Sequence, residues 1–260
     1  MSERDEGAMP KHADLRFYAG LRDFLSTDRT SGRVTRSFDV AGSVKDMIEA
    51  CGVPHTEVAL ILINGVAVDF THRVRDRDQI SVYPPPTTLD VDPGRLVSPE
   101  QPAVLRFILD GHLGRLTRYL RLLGFDCAYD RCWTDPEIVQ IAVAQQRVVL
   151  TRDVGLLMRG TLEHGYYVRS IDPGAQLHEV VRRYDLYDGA EPFTRCMVCN
   201  GALRPIEKRR IAHRLSPGTL LSYDEFWICL ECGRIFWKGA HYGRLRQIVD
   251  AVIQGAGDTG

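Results

Sequence analysis

Net charge is nearly absent from this sequence: 33 Lys and Arg stand against 34 Asp and Glu, a balance of −1. A protein that coats nucleic acid or membrane by bulk electrostatics needs a large excess of one sign, so that class is excluded. Any contact with a polyanion must be local. The most basic region is 191–260, with 10 basic and 7 acidic side chains, against 10 and 13 in 14–103 and 11 of each in 104–190. Long apolar runs are missing too. No stretch approaches eighteen apolar residues, and the opening MSERDEGAMPKH has no apolar signal core. The expectation is a cytoplasmic protein with no membrane partner. Repeats and low-complexity segments are lacking, and so is the even cysteine count of a disulfide framework. There are seven cysteines, four of them in two CxxC pairs, which suits a reducing compartment and a metal site.

What is present divides the 260 residues into blocks. Residues 1–12 read as a disordered lead and GAGDTG, 255–260, as a disordered tail. The first block reads strand (LRFYAGL), strand (VTRSFDV), helix (SVKDMIEACG), strand (VALILIN), a further strand after Asn64-Gly65, and a last strand (QISVYP). Ser43 is placed as the helix N-cap, Asp46 at N3 and Gly52 at the stop. Asn64-Gly65 is a two-residue hairpin signal, because both residues tolerate positive φ. This is α+β order. The proline-rich PPPTTLDVDPGRLVSPEQP, 84–102, reads as a linker.

The second block alternates instead. Strands AVLRFILD, FDCAYD, RVVLTRD and YYVRSID are each followed by a helix: LGRLTRYLRLLG, DPEIVQIAVAQQ, one within GLLMRGTLEHG, and AQLHEVVRRYDL. Four βα units in a row predict a parallel α/β sheet covered by helices. In such a sheet all strand C-termini share one edge, where ligands bind. The four strands run into Asp110, Asp130, Asp153 and Asp172, and Asp135 opens the second helix. Clustered carboxylates repel one another unless a cation is present. Magnesium or manganese prefers oxygen ligands, and a pair of such ions activates water and stabilises the leaving oxygen of a phosphodiester. Capping is the competing explanation, since Asp at a strand–helix junction often serves as N-cap for roughly 1 kcal/mol. For Asp135, followed by Pro136 and Glu137, it is a full alternative. Asp130 and Asp172 also lie in ordinary turn sequences.

FILDGHLGRLTRYLRLLGFD, DPEIVQIA and RVVLTRD, followed by paired CxxC motifs, resemble the family named for the C-terminal domain of the Mut-seven exonuclease. That resemblance implies a PIN-like ribonuclease domain fused to a zinc ribbon and metal-dependent hydrolysis of RNA. It supports Asp110, Asp135 and Asp153 by position, as catalytic and Mg/Mn-binding residues, and is less informative about Asp130. The first block is similar to the ubiquitin-like, sulfur-carrier-like β-grasp domain that precedes it in that family. The implied architecture is a β-grasp domain at 14–84, a linker at 85–103, a PIN-like nuclease domain at 104–190 and a zinc ribbon at 191–243. Sulfur carriers act through a free C-terminal Gly-Gly. Here the block runs on through SVYPPPTTLD, so it reads as a docking module for protein or RNA.

Cys196-x-x-Cys199 and Cys229-x-x-Cys232, with 29 residues between them, carry the strongest motif. Two such turns complete a tetrahedral zinc site, and four protein ligands leave no open position, so the zinc is structural. Asn200-Gly201 and Gly233 supply the tight turns. Cys51, Cys127 and Cys132 read as packing residues. On LGRLTRYLRLLG the face Leu113, Leu116, Leu120 and Leu123 is apolar, while Arg115, Arg118 and Arg121 fall off it. Those arginines, and Arg152 beside Asp153, read either as a solvated face or as phosphate contacts for RNA. The competing function is a catalytically weak RNA- or protein-binding adaptor on the same fold.

Overall fold

Asn64 and Gly65 sit at φ +51° and +83°, the pair of left-handed conformations that closes a two-residue hairpin. The structure is a computed structural model and describes residues 10–26, 28–85 and 93–254. That hairpin joins β3 (Leu60–Ile63) to β4 (Val66–Ala67), with Ile63 opposite Val66. With β1 (Lys11–Phe17), β2 (Arg33–Phe38) and β5 (Gln79–Tyr83) they form one sheet in the order β2-β1-β5-β3-β4. β1 and β5 run parallel at its centre, and the remaining pairs are antiparallel. This is the expected β-grasp order.

The helix across that sheet, α1 (Val44–Glu49), starts where its sequence says it should. Ser43 Oγ accepts from the Asp46 amide, and the Asp46 carboxylate accepts from the Ser43 amide, a reciprocal capping box. Beyond its C-terminus Gly52 takes φ +93° against the Phe24 carbonyl, where a side chain has no room. Fifteen buried apolar residues, among them Leu15, Phe17, Ile48, Ile61 and Ile80, make the core. β1 begins inside the stretch read as a disordered lead, because His12 to Arg16 pair with β2 and Ala13 is fully buried. Residues 86–92 of the linker and the tail 255–260 lie outside the described residues.

The chain forms two units: residues 1–101 with 153–167, and 102–152 with 168–260. In the second unit β6 (Arg106–Leu109) lies between β7 (Asp126–Ala128) and β8 (Val148–Thr151), parallel to both. Phe107, Ile108 and Leu109 are fully buried, as the run of apolar residues requires of a strand covered on both faces. α2 (Gly114–Leu122), α3 (Asp135–Gln145) and α5 (Pro173–Tyr184) add Leu116, Leu120, Ile138, Leu177 and Val180 to that core. The helix expected within 155–165 shrinks to one turn, α4 (Val154–Leu157), followed by β9 (Gly165–Tyr167). Both lie in the first unit.

Three short antiparallel strands, β10 (Leu203–Ile206), β11 (Phe226–Cys229) and β12 (Ile235–Trp237), form the cysteine-bearing ribbon. Two short helices, α6 (Lys208–Ile211) and α7 (Pro217–Ser222), link β10 to β11. A last helix, α8 (Tyr242–Gln254), was not anticipated; it buries Val249 and Val252 and packs on α5. No helix among the described residues is long and apolar enough to cross a membrane.

Candidate active site and metal centre

β6 ends at Leu109, and its register with β8 runs Leu109 to Leu150, so Asp110 and Thr151 leave the sheet side by side. The Asp110 amide donates to the Leu150 carbonyl, and the fully buried Thr151 hydroxyl donates to Asp110 Oδ2 at 2.9 Å. Asp110 occupies the position before a 3-10 turn at Gly111–Leu113, yet its side chain caps nothing. The competing explanation therefore does not account for this carboxylate. It is held by a hydroxyl from the neighbouring strand instead. Thr151, which stands in the VVLTRD motif, is a partner of Asp110 that strand-end acids alone do not reveal.

Opposite, β7 gives way to a loop that closes over the turn after Asp110. Tyr129 Oη donates to the Gly111 carbonyl at 2.9 Å, and a Cβ on Gly114 would lie 2.7 Å from that hydroxyl. Glycine at 114 is thus required by the close approach of Tyr129. Asp130 is on this loop, with one oxygen accepting the Cys132 amide at 2.9 Å, an Asx turn. For Asp135 the expectation shifts by one residue. Thr134 is the N-cap of α3, its amide and hydroxyl both donating to Glu137 Oε2 at 2.8 Å, and Asp135 is the first helical residue.

Asp153, in the first unit, does cap: its Oδ1 accepts from Gly155 N at 2.7 Å and Leu156 N at 3.4 Å. Asp172 caps α5 in the same manner through Gly174 and Ala175. It stands five residues beyond the end of β9, so it is not a strand-end acid.

The arginines separate by burial. Arg115 and Arg118 are exposed on α2, whereas Arg121 is 3% exposed. Arg121 donates through Nε and Nη2 to the Cys127 carbonyl and through Nη1 to the Val198 carbonyl at 2.7 Å. It is a structural tie, not part of a solvated face. Arg152 Nη1 donates to the carbonyls of Val168, Arg169 and Ser170, which fixes the chain after β9.

The four ribbon cysteines converge, all Sγ atoms lying within 4.8 Å of one another. Four sulfurs at about 2.3 Å from one zinc ion would sit about 3.8 Å apart in a tetrahedron. The Cys196–Cys232 separation is 3.8 Å and the Cys199–Cys229 separation 3.3 Å, so the donor set fits such an ion. Asn200 and Gly233 take φ +76° and +67° in the two turns, and the Asn200 and Gly233 amides donate back to the Cys196 and Cys229 carbonyls. A side chain at Gly201 would collide with Glu231 and crowd Cys229 Sγ at 2.9 Å. The Arg234 amide holds the Cys232 thiol down to about 7, whereas burial pushes Cys199 up to about 12 and raises Cys196. Among the described residues these four cysteines lie close enough together to share one ion. Asp110, Asp130 and Asp135 of the second unit are not gathered in this way.

Of the remaining cysteines, burial pushes Cys51 up to about 11 and Cys127 up to about 12, consistent with packing. Cys132 is exposed and packs no core.

The first cysteine turn also serves the sheet. β7 is an edge strand, and its Cys127 amide donates to Asn200 Oδ1 at 3.0 Å, while Asn200 Nδ2 donates to Asp126 Oδ1 at 2.8 Å. Arg147 reaches the same carboxylate oxygen at 2.7 Å. Burial alone would raise the Asp126 carboxyl. The Arg147 and Asn200 hydrogen bonds and the nearby arginine charges outweigh it and hold the group below the usual carboxylate range.

Two family profiles match this sequence. The profile described as Mut7-C RNAse domain matches residues 105–249. The chain belongs to the Mut7-C RNAse domain family. A second profile, Mut7-C ubiquitin, matches residues 10–90 and identifies the β-grasp sheet as a ubiquitin-like domain. No curated protein and no solved structure matches the chain significantly. The Mut7-C match thus spans both the strand ends that carry Asp110 and Thr151 and the four-cysteine ribbon.

Proposed function

We propose that this protein is a Mg²⁺- or Mn²⁺-dependent ribonuclease that hydrolyses RNA phosphodiester bonds, with zinc as a structural ion in the cysteine ribbon. The observation that carries the reading is Asp110: a carboxylate at the end of the central strand, oriented by the Thr151 hydroxyl and not used as a cap. Its Oδ1 accepts no hydrogen bond among the described residues, so one oxygen remains for a ligand. Membership in a ribonuclease family supports the same conclusion.

We assign Asp110, Asp135 and Asp153, with Asp130, to the metal-binding and catalytic set. Carboxylate oxygens are the donors that magnesium and manganese prefer. When bound, such an ion lowers the pKa of a coordinated water and offsets the charge developing on the phosphate. The chain supplies orientation. Thr151 fixes the Asp110 carboxylate, and the Tyr129 hydroxyl fixes the turn that follows it. A carboxylate held in this manner can accept the proton of an attacking water. Arg115 and Arg118, exposed on the helix that follows Asp110, would contact the RNA backbone, while Arg152, bound to the carbonyls of Val168, Arg169 and Ser170, would hold the chain beside Asp153. The ubiquitin-like domain is then a docking module for a protein or RNA partner.

The test is cleavage of single-stranded, structured and transfer RNA by purified protein with Mn²⁺, beside an Asp110→Asn/Asp153→Asn double variant. Loss of cleavage by about 10²-fold or more in the variant is expected. Equal rates would sink the reading. RNA binding without cleavage by either protein would make the chain an adaptor.

A further inference from the structure

Two buried side chains of the ubiquitin-like domain reach far along the chain. Glu57, 4% exposed, accepts the Tyr167 amide at 2.6 Å, a residue 110 positions away. His55, 8% exposed, places Nε2 2.8 Å from the Leu162 carbonyl, 107 positions away, and Nδ1 2.6 Å from Glu49 Oε1. A carbonyl only accepts, so Nε2 carries the proton. Burying a carboxylate and an imidazole is costly unless they are hydrogen-bonded. Here neither long-range bond closes an element of the β-grasp sheet. Both grip the backbone of 153–167.

The gripped segment is the one that carries Asp153, and contacts run through it without a break. Tyr167 ends β9 and stacks edge-on against Phe24 with ring centroids 5.3 Å apart. Within β9, Gly165 is so tightly enclosed that a Cβ would run into Leu157 and lie 3.4 Å from Thr56 Oγ1. Leu156 and Leu157 are fully buried in α4, and the first amides of α4 bind Asp153 Oδ1. Packing thus joins β9 through Leu157 to the turn whose amides hold this carboxylate.

We propose that Glu57 and His55 are positioning residues for Asp153, and that through them the ubiquitin-like domain sets the turnover rate of the nuclease. The proposal rests on reading Asp153 as a nuclease carboxylate. A displacement of about 1 Å at a catalytic group can cost as much as 10²-fold in rate.

The experiment uses the full chain with Mn²⁺ and RNA, comparing wild type with Glu57→Ala, Glu57→Gln and His55→Phe. Steady-state kinetics and amide hydrogen exchange over 154–167 are the readouts. Glu57→Ala should lower kcat roughly ten- to a hundredfold with KM nearly unchanged, and speed exchange at the Tyr167 amide. Glu57→Gln keeps an acceptor oxygen and should restore most of both. His55→Phe provides the same test where Glu57→Ala fails to fold. An active wild type whose kcat is indifferent to Glu57→Ala and His55→Phe overturns the positioning role alone. So does a kcat loss that Glu57→Gln does not rescue. A wild-type chain that cleaves no RNA, or an Asp153→Asn variant as fast as wild type, overturns the catalytic reading and the proposal with it.

Discussion

The ubiquitin-like sheet buries fifteen apolar side chains in one core, from Ala13 to Val82, whereas the ribbon region 191–243 buries Cys196, Ile211, Phe226 and Cys229. Both are small sheets with antiparallel pairs and tight turns. At roughly 1.5–3 kcal/mol for each fully buried large apolar side chain, the first set contributes several times what four residues, two of them cysteines, can supply. The difference accords with the proposed zinc site, in which metal binding would replace apolar burial as the source of folding free energy.

Chelation should expose that contrast most strongly. Structural zinc contributes an apparent binding free energy of about 10–16 kcal/mol in small zinc domains. Removing the metal, or changing Cys199→Ser with Cys232→Ser, is expected to abolish exchange protection in β10–β12 and leave the ubiquitin-like core protected. Metal analysis should find about one zinc per chain in the wild type and near zero in the double variant. A ribbon that stays protected without metal would break the comparison.

The converse change comes next in size. Phe17→Ala removes a fully buried ring from the ubiquitin-like core and should cost about 3–5 kcal/mol in denaturant unfolding of that sheet, whether or not zinc is present. Zinc content should not change.

Smaller is the link between the cysteine turn and the edge of β7. Asp126→Asn weakens charge-assisted bonds to Arg147 and Asn200, and a loss of about 1.5–3 kcal/mol at neutral pH is expected. The folded carboxyl lies below its ordinary value, so its contribution is present above the unfolded pKa of about 3.9 and disappears as pH falls through the folded value. Thermal melts of wild type and variant should therefore converge below about pH 4. Smallest is Ser43→Ala, which removes one half of the capping box of α1 and should cost about 1 kcal/mol.

Much of this was legible in the residues themselves. Asn64-Gly65, Ser43 with Asp46, and Gly52 each dictate a local geometry through their own φ preferences or short side chains, and each takes it. The paired CxxC motifs belong to the same class, since a two-residue spacer already aims two sulfurs to one side. Local chemistry suffices for such features. It failed where a residue's role depends on distant neighbours. Arg115, Arg118 and Arg121 look alike on a helical wheel, and only the carbonyls of Cys127 and Val198 beside Arg121 separate it from the other two.

The aspartates make the same point more sharply. Apolar runs and chain order alone determined that Asp110 and Asp153 follow buried strands, because short runs such as FIL and VVL, alternating with helical patterns, read as the strands of a covered parallel sheet. Tertiary structure alone decided that Asp110 is held by Thr151 while Asp153 caps α4, because hydrogen bonds go to whichever donor packing brings within 3 Å or so. It also decided that Glu57 and His55, ordinary polar letters in PHTE, are buried against Tyr167 and Leu162. No pattern of period 2 or 3.6 carries a contact between residues more than a hundred positions apart; only the folded chain brings them together.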